Sequence, residues 1–220
     1  MLYITPTPIG NLGDITDRAR DNLIQADFII AENPSYTKRL LKHVGTDKPV
    51  VQFAEHNELK MLDKIVARLE NEVGCLVTDA GTPGISDPGF RLVRACVAAN
   101  VPITALPGAN AAVTALSASG LPTDKFIFIG FFPKSEVKVL ATVAEAKQID
   151  ATLIAYESPQ RILKSLNWIA EKEPECSVVV ARELTKLHEE YVRGTAVEVL
   201  EVFKQRPSIK GEITILVGFK

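Results

Sequence analysis

The sequence predicts two α/β domains, the first on a largely parallel sheet and the second on a mixed one, with a cleft between them. Three observations carry that expectation. Short apolar runs alternate with stretches of helical apolar spacing through the first half, the pattern of a parallel sheet covered on both faces. Several runs end in loops that combine Gly with Pro, at strand ends where open α/β sheets place their ligands. A small, polar stretch, Ser117-Ala118-Ser119-Gly120-Leu121-Pro122-Thr123-Asp124, separates two series of such elements. It reads as a linker and gives domains over residues 1–117 and 122–220.

In order, Leu2 to Thr5 reads as a strand, Pro6 to Asp14 as a stiff loop, and 16–25 as a helix capped by Asp14 or Thr16. Phe28 to Ala31 is a second strand ending in Glu32-Asn33-Pro34, and Ser35 is the expected cap of a helix over 36–44. Val50 to Phe53 is a third strand. Glu55-His56-Asn57-Glu58 then leads into a helix over 59–69, where Leu62, Ile65, Val66 and Leu69 recur at three- and four-residue spacings. A buried strand over 75–78 precedes the loop Asp79 to Gly89 and a helix over 90–99. Strand 101–106 ends in Pro107-Gly108-Ala109-Asn110, before a helix over 111–118. In the second half, strands over 126–131, 152–156, 177–181 and 212–217 accompany helices over 136–147, 159–171 and 196–204. His188 to Gly194 reads as an extra strand.

A hydrophobic content of 46% with 24% charged residues is that of a globular chain able to bury a sizeable core. No apolar stretch reaches the roughly 18 residues of a membrane span, and the amino terminus enters directly on a strand without a basic leader. A cytoplasmic protein is therefore expected. Cys75, Cys96 and Cys176 are widely spaced among apolar residues, which points to buried free thiols rather than a disulfide or a metal site. The net charge of −2 excludes a generic nucleic-acid coat but leaves room for a local basic patch.

The stretch Asp79 to Gly89 holds three glycines and two prolines in eleven residues, more stiffness than a simple connection requires. Asp87-Pro88 reads as N-cap and first residue of the following helix, which leaves Gly81 to Ser86 unexplained. The loops at 6–14 and 107–110 share the Gly-with-Pro composition, and together the three describe a backbone-lined pocket. The first lacks both the dinucleotide fingerprint and the Lys-Ser/Thr of a P-loop, which disfavours nicotinamide and nucleoside triphosphates.

Six stretches together carry a resemblance. They are Thr5 to Thr16, Glu55 to Glu58, Asp79 to Gly89, Ser117 to Asp124, Tyr156 to Arg161 and Ala181 to Glu190. The chain resembles, over nearly its whole length, the ribosomal RNA small-subunit methyltransferase I family of the tetrapyrrole methylase superfamily. The resemblance implies that superfamily's fold, S-adenosylmethionine as methyl donor, 2′-O-methylation of a cytidine ribose in 16S ribosomal RNA, and a homodimer; no metal is expected, from the reading of the cysteines above. Carried over, the donor contacts fall on Ile9, Thr82, Pro83, Ile85, Asn110, Ala111, Tyr156, Gly211 and Glu212. The chain departs from the family where its members usually read Ala-Glu-Asp-Thr-Arg followed by His; here Ala31-Glu32-Asn33-Pro34-Ser35-Tyr36 lacks an acid, an arginine and a histidine.

Methyl transfer to a ribose hydroxyl asks for alignment, exclusion of water, and a base or cation for the developing alkoxide. The catalytic candidates are Asp79, Glu157, Arg182 and Glu183, with Glu32, His56 and Lys186 beside them. Each has a structural alternative: a helix cap for Glu55 to Glu58, a loop brace for Asp79, an Arg182–Glu183 ion pair. Glu189-Glu190 reads as a solvated face. For RNA, Lys38, Arg39 and Lys42 share one face of the 36–44 helix, and Arg161 and Lys186 extend the basic set. Two other functions fit the same fold: a methylase of tetrapyrroles or other small molecules, and a non-catalytic RNA-binding module.

Overall fold

The computed structural model describes residues 1–219. The chain divides into two compact units, Met1–Asn110 and Ala111–Lys220. The first holds five parallel strands, β1 (Leu2–Ile4), β2 (Phe28–Ala31), β3 (Val50–Gln52), β4 (Gly74–Val77) and β5 (Ile103–Ala105), in the order β3-β2-β4-β1-β5. Every residue of β2 and β4 is buried, as expected for central parallel strands covered on both faces.

The chain runs from β1 outward to β2 and β3, then returns to insert β4 between β2 and β1 before passing on to β5. Crossovers between parallel strands are right-handed, so a reversal of direction moves the helices to the other face. Helices α1 (Asp17–Gln25) and α2 (Pro34–Val44) accordingly share one apolar cluster, with Leu23, Leu40, Leu41, Ile29 and Val77. Helices α3 (Glu58–Leu69) and α4 (Phe90–Ala98) share another, with Ile65, Leu69, Leu92, Phe28 and Ile30. The loops after neighbouring β1 and β4 leave in opposite directions, which opens a crevice at their carboxyl ends.

The second unit holds β6 (Phe126–Phe131), β7 (Thr152–Glu157), β8 (Ser177–Arg182), β9 (Glu190–Thr195) and β10 (Ile213–Gly218), in the order β6-β7-β10-β8-β9. Only β6 and β7 pair in parallel. Helices α6 (Glu136–Gln148), α7 (Ile162–Lys172) and α8 (Ala196–Lys204) cover one face with Val139, Leu166, Ile169, Val199 and Phe203. Thr195 opens α8 with a reciprocal capping box to Glu198. Helix α5 (Ala111–Ser117) packs on β7 and β10, so it is part of this unit rather than of the first half of the chain.

Two expected caps differ. Asn33, not Ser35, caps α2 by accepting from the Tyr36 amide, with Pro34 at the first helical position. Asp87-Pro88 does not open α4, which starts at Phe90 after Gly89. Gly89 sits at φ 140°, and a Cβ there would lie 3.0 Å from Leu76 Cδ2. The three cysteines are buried and free, and burial pushes the Cys75 and Cys176 thiols up to about 11, which keeps them protonated and unreactive. Among the described residues no helix is long and apolar enough to cross a membrane.

At the start of β4, a Cβ on Gly74 would fall 2.7 Å from Leu69 Cδ2 and 3.0 Å from Phe28 Cζ, both in the α3 core. Gly74→Ala should overpack this core and cost about 1–3 kcal/mol. Urea titration should show a lower midpoint with an unchanged slope; a parent-like midpoint would mean that the site relaxes freely.

Candidate active site

Three loops meet at the carboxyl edge of the first unit's sheet. The loop after β1 is fixed to the loop after β4 by a pair of backbone bonds: the Thr7 amide donates to Gly81 O at 2.9 Å and the Gly81 amide to Thr7 O at 3.0 Å. Thr7 Oγ1 donates to Thr78 O at 3.1 Å. Thr82 Oγ1 donates to Ala109 O at 2.9 Å, which brings in the loop after β5. Gly81 takes φ 81°, and a Cβ on it would sit 3.4 Å from Ile9 Cγ2 and 3.7 Å from Ala109 O. Ile9, Thr82, Pro83, Ile85 and Asn110 therefore belong to one braced cluster; Ile9 and Pro83 are buried and Ile85 is exposed.

Carboxylates converge on the same edge. Glu32 follows β2, Asp79 follows β4, and Asp87 lies further along the central loop. Burial raises the carboxyl of Glu32, with Asp79 and Glu55 adding repulsion. Burial also raises Asp79, against a stabilising hydrogen bond from Asn33. Asp87 is pushed up to about 6 by burial and by Glu32, with Thr78 opposing and Asp79 adding. Asp79 Oδ1 is shut off from solvent and has no hydrogen-bond partner. A cavity of about 240 Å³ opens here, lined by Thr7, Pro8 and Gly10 from the first loop, Tyr36 and Arg39 from α2, and Asp79. His56 is exposed in the β3–α3 turn. That turn is closed by Asn57, whose Oδ1 accepts from the Ala54 amide at 2.8 Å.

In the second unit the candidates sort differently. Glu157 is 2% exposed and accepts from the Ser158 amide at 2.7 Å and Ser165 Oγ at 2.5 Å. Arg161 lies 3.3 Å from it and donates to Phe132 O and Pro133 O at 3.0 and 2.6 Å. This buried network joins the ends of β6 and β7 to the start of α7, so both residues position the turn. Tyr156 packs edge-on against Phe128 and Phe131, with ring centroids 4.9 and 5.7 Å away.

Arg182 and Glu183 do not pair with each other. Arg182 Nε donates to Glu190, which also receives two bonds from Arg206 at 2.5 and 3.0 Å. Those arginines, Arg206 foremost, hold the Glu190 carboxyl down at about 2 against the effect of burial. Glu189 is exposed, as expected, and accepts from the Thr185 amide; Glu190, half-buried between two arginines, is a tie within the loop rather than part of a solvated face. Glu183 Oε1 accepts from Lys186 Nζ and from the Glu212 amide, both at 2.9 Å, and Lys186 also reaches Glu212 Oε2 at 2.8 Å. A Cβ on Gly211, at φ 93°, would strike Glu183 Cγ at 2.5 Å. Glu183 thus clamps Gly211-Glu212, and Lys186 is spent on that clamp. Ala111 opens α5.

Of the basic set, Lys38, Arg39 and Lys42 are exposed, on the side of α2 opposite its buried Thr37, Leu40, Leu41 and Val44. Two participants were missed from sequence. Asp87 was hidden by its resemblance to a cap, and Tyr36 by its place in an ordinary helix start; an exposed aromatic beside an arginine was the available signal for the second.

The raised carboxyl of Asp87 has a consequence for stability. Its folded value, about 6, lies above the ordinary carboxylate value of 3.8. The folded state therefore holds a proton there that the unfolded state has lost, and stability falls as pH rises from about 4 to 6. Asp87→Asn should remove this loss, raising the melting temperature at pH 7.5 and changing it little at pH 4. Equal shifts at both pH values would show that Asp87 is not strained by its charge.

Residues 1–200 match the family described as Tetrapyrrole (Corrin/Porphyrin) Methylases. The chain is 45% identical over 220 residues to the ribosomal RNA small subunit methyltransferase I of Hydrogenobaculum sp. (strain Y04AAS1), covering 99% of this chain and 95% of that protein. It is 43% identical over 217 residues to the protein of the same name from Halalkalibacterium halodurans, covering 98% and 75%. The Haemophilus influenzae protein of that name is 43% identical over 226 residues, covering 100% and 79%. The fold is also that of two solved structures. Diphthine synthase superposes with a TM-score of 0.78 at 13% identity, covering 99% of this chain and 89% of that one. The methyltransferase CobJ gives 0.71 at 20% identity, covering 99% and 93%. With the family match spanning most of the chain and the 45% identity running its length, the protein belongs to the tetrapyrrole methylases and, among them, to the S-adenosylmethionine-dependent ribosomal RNA small subunit methyltransferase I family.

Proposed function

We propose that the protein moves the methyl group of S-adenosylmethionine to the ribose 2′-hydroxyl of a cytidine in 16S ribosomal RNA of the small ribosomal subunit, acting as a cytoplasmic homodimer. The observation that carries this reading is the braced cluster of three Gly/Pro loops in a chain 45% identical to a protein named for that RNA. The residues fit the donor. In the first unit its holders are Ile9, Thr82, Pro83, Ile85 and Asn110. Beside Gly84, at φ 82°, a Cβ would meet nothing nearer than Phe90 N at 3.9 Å, so bare backbone faces open space there.

The sulfonium supplies an already activated methyl group when bound. The protein's own share is to align the acceptor, exclude water and take a proton from a weakly acidic hydroxyl. Glu157, Arg182 and Glu183 are each engaged by structural partners. The proton falls instead to the acids beside the loop, Glu32 and Asp87, of which burial and the Glu32 charge hold Asp87 at about 6. Phosphates are held by Lys38, Arg39 and Lys42, since Arg161 and Lys186 are committed elsewhere.

Methyl transfer to small subunits from a strain lacking the enzyme, with the product nucleoside mapped, tests the reaction. The expected product is 2′-O-methylcytidine; a base-methylated nucleoside, or no transfer by a protein that binds the donor, overturns it. Reversing Arg39 and Lys42 to Glu should lower transfer at least tenfold, flatten its salt dependence and leave donor affinity unchanged. Transfer equal to the parent's across a salt series would remove α2 from the RNA interface.

A further inference from the structure

The cavity lined by Thr7, Pro8, Gly10, Tyr36, Arg39 and Asp79 is not accounted for by donor binding or by a phosphate patch. We propose that it is the pocket for the base of the acceptor nucleotide, with Asp79 receiving the exocyclic amine of cytosine, Tyr36 stacking on the ring and Arg39 holding the adjoining phosphate. The inference rests on the ribosomal RNA reading above and names what selects the nucleotide.

Four observations point the same way. At about 240 Å³ the cavity is smaller than the roughly 300–1,000 Å³ of ordinary cofactor and drug pockets, as suits a single base. Asp79 brings a carboxyl group to the cavity wall, and a carboxylate is the usual acceptor for the cytosine amine. Tyr36 is 48% exposed although it lies at a pocket wall, as an aromatic that stacks on an unpaired base would be. Finally, Pro8 and Gly10 line the cavity on either side of Ile9, assigned above to the donor, so acceptor and donor share one loop.

The chemistry also explains why Asn33 stands beside Asp79. Its side chain hydrogen-bonds the carboxylate and opposes the upward shift caused by burial. Asp79 is thereby left more acidic than burial alone would make it, as an acceptor toward an amine requires. Uracil presents a carbonyl at the same position and would face that acceptor with no proton between them.

The test compares the parent with Tyr36→Ala, Tyr36→Phe and Asp79→Asn. Each is assayed on subunits carrying the natural cytidine and on subunits carrying uridine at the mapped position, with S-adenosylmethionine affinity measured by calorimetry. The parent should prefer cytidine by about tenfold or more. Asp79→Asn should bring that preference to within about threefold of unity, because an amide offers either a carbonyl or an NH₂. Tyr36→Ala should raise KM for the subunit about tenfold, and Tyr36→Phe should restore it. Donor affinity should match the parent throughout. A preference unchanged in Asp79→Asn overturns the base pocket while leaving the ribosomal RNA reading intact. Weakened donor binding in Tyr36→Ala or Asp79→Asn assigns the cavity to the donor and overturns it equally. A parent that methylates no subunit fails the ribosomal RNA reading itself, and this inference with it.

Discussion

Two backbone hydrogen bonds between Thr7 and Gly81 hold together everything that the first unit offers a ligand. In a doubly wound sheet, neighbouring strands at the reversal point send their loops in opposite directions, and nothing in the sheet itself keeps those loops near one another. The bridge supplies that restraint one step beyond the strand ends. Thr82 then extends it to Ala109 through its hydroxyl, and Thr7 anchors back to Thr78. Prolines on both sides remove the remaining backbone freedom. Gly81 is needed because the chain turns there with φ 81° against Ile9 and Ala109. A ligand meeting such loops finds them already ordered, so less of its binding energy goes into arranging them.

The acids around this bridge make sense as a balance. Glu32, Asp79 and Asp87 lie close enough for Glu32 and Asp79 to raise the proton affinity of Asp87. The segment after β2 reads Asn33-Pro34-Ser35, with neither an acid nor a base. A further carboxylate there would add charge to a partly buried acidic group. Asn33 keeps the hydrogen-bonding capacity, bonds Asp79 and caps α2 without adding charge.

The second unit shows the opposite economy. Its most chemically suggestive residues are bound to structure: Glu157 to the α7 turn, Arg182 and Arg206 to Glu190, Glu183 and Lys186 to Gly211-Glu212. Breaking a buried pair leaves an uncompensated charge, which is costly. Glu183 and Thr185 also hold positive φ of 53° and 64°, a strain that surrounding bonds must maintain. These networks set the shapes of the turns they tie together. Their role in the reaction is one of position.

By itself the sequence determined the elements and the stiffness of the loops. Strand 28–31 and helices such as 196–204 follow from apolar spacing, which depends on a few neighbouring residues. The Gly-with-Pro loops were likewise readable, since their composition restricts φ and ψ locally. Only the tertiary structure decided which of these meet. Thr7 and Gly81 are far apart in the chain, as are Glu183 and Glu212, and no local pattern announces either contact. The same holds for α5, whose short apolar face fits either half by composition and lies on β7 and β10 by packing. Asp87 looked like a cap because Asp-Pro before a helix is a sound local rule. The fold instead sets it beside Glu32 and Asp79, and the charge of a group is governed by what surrounds it in space.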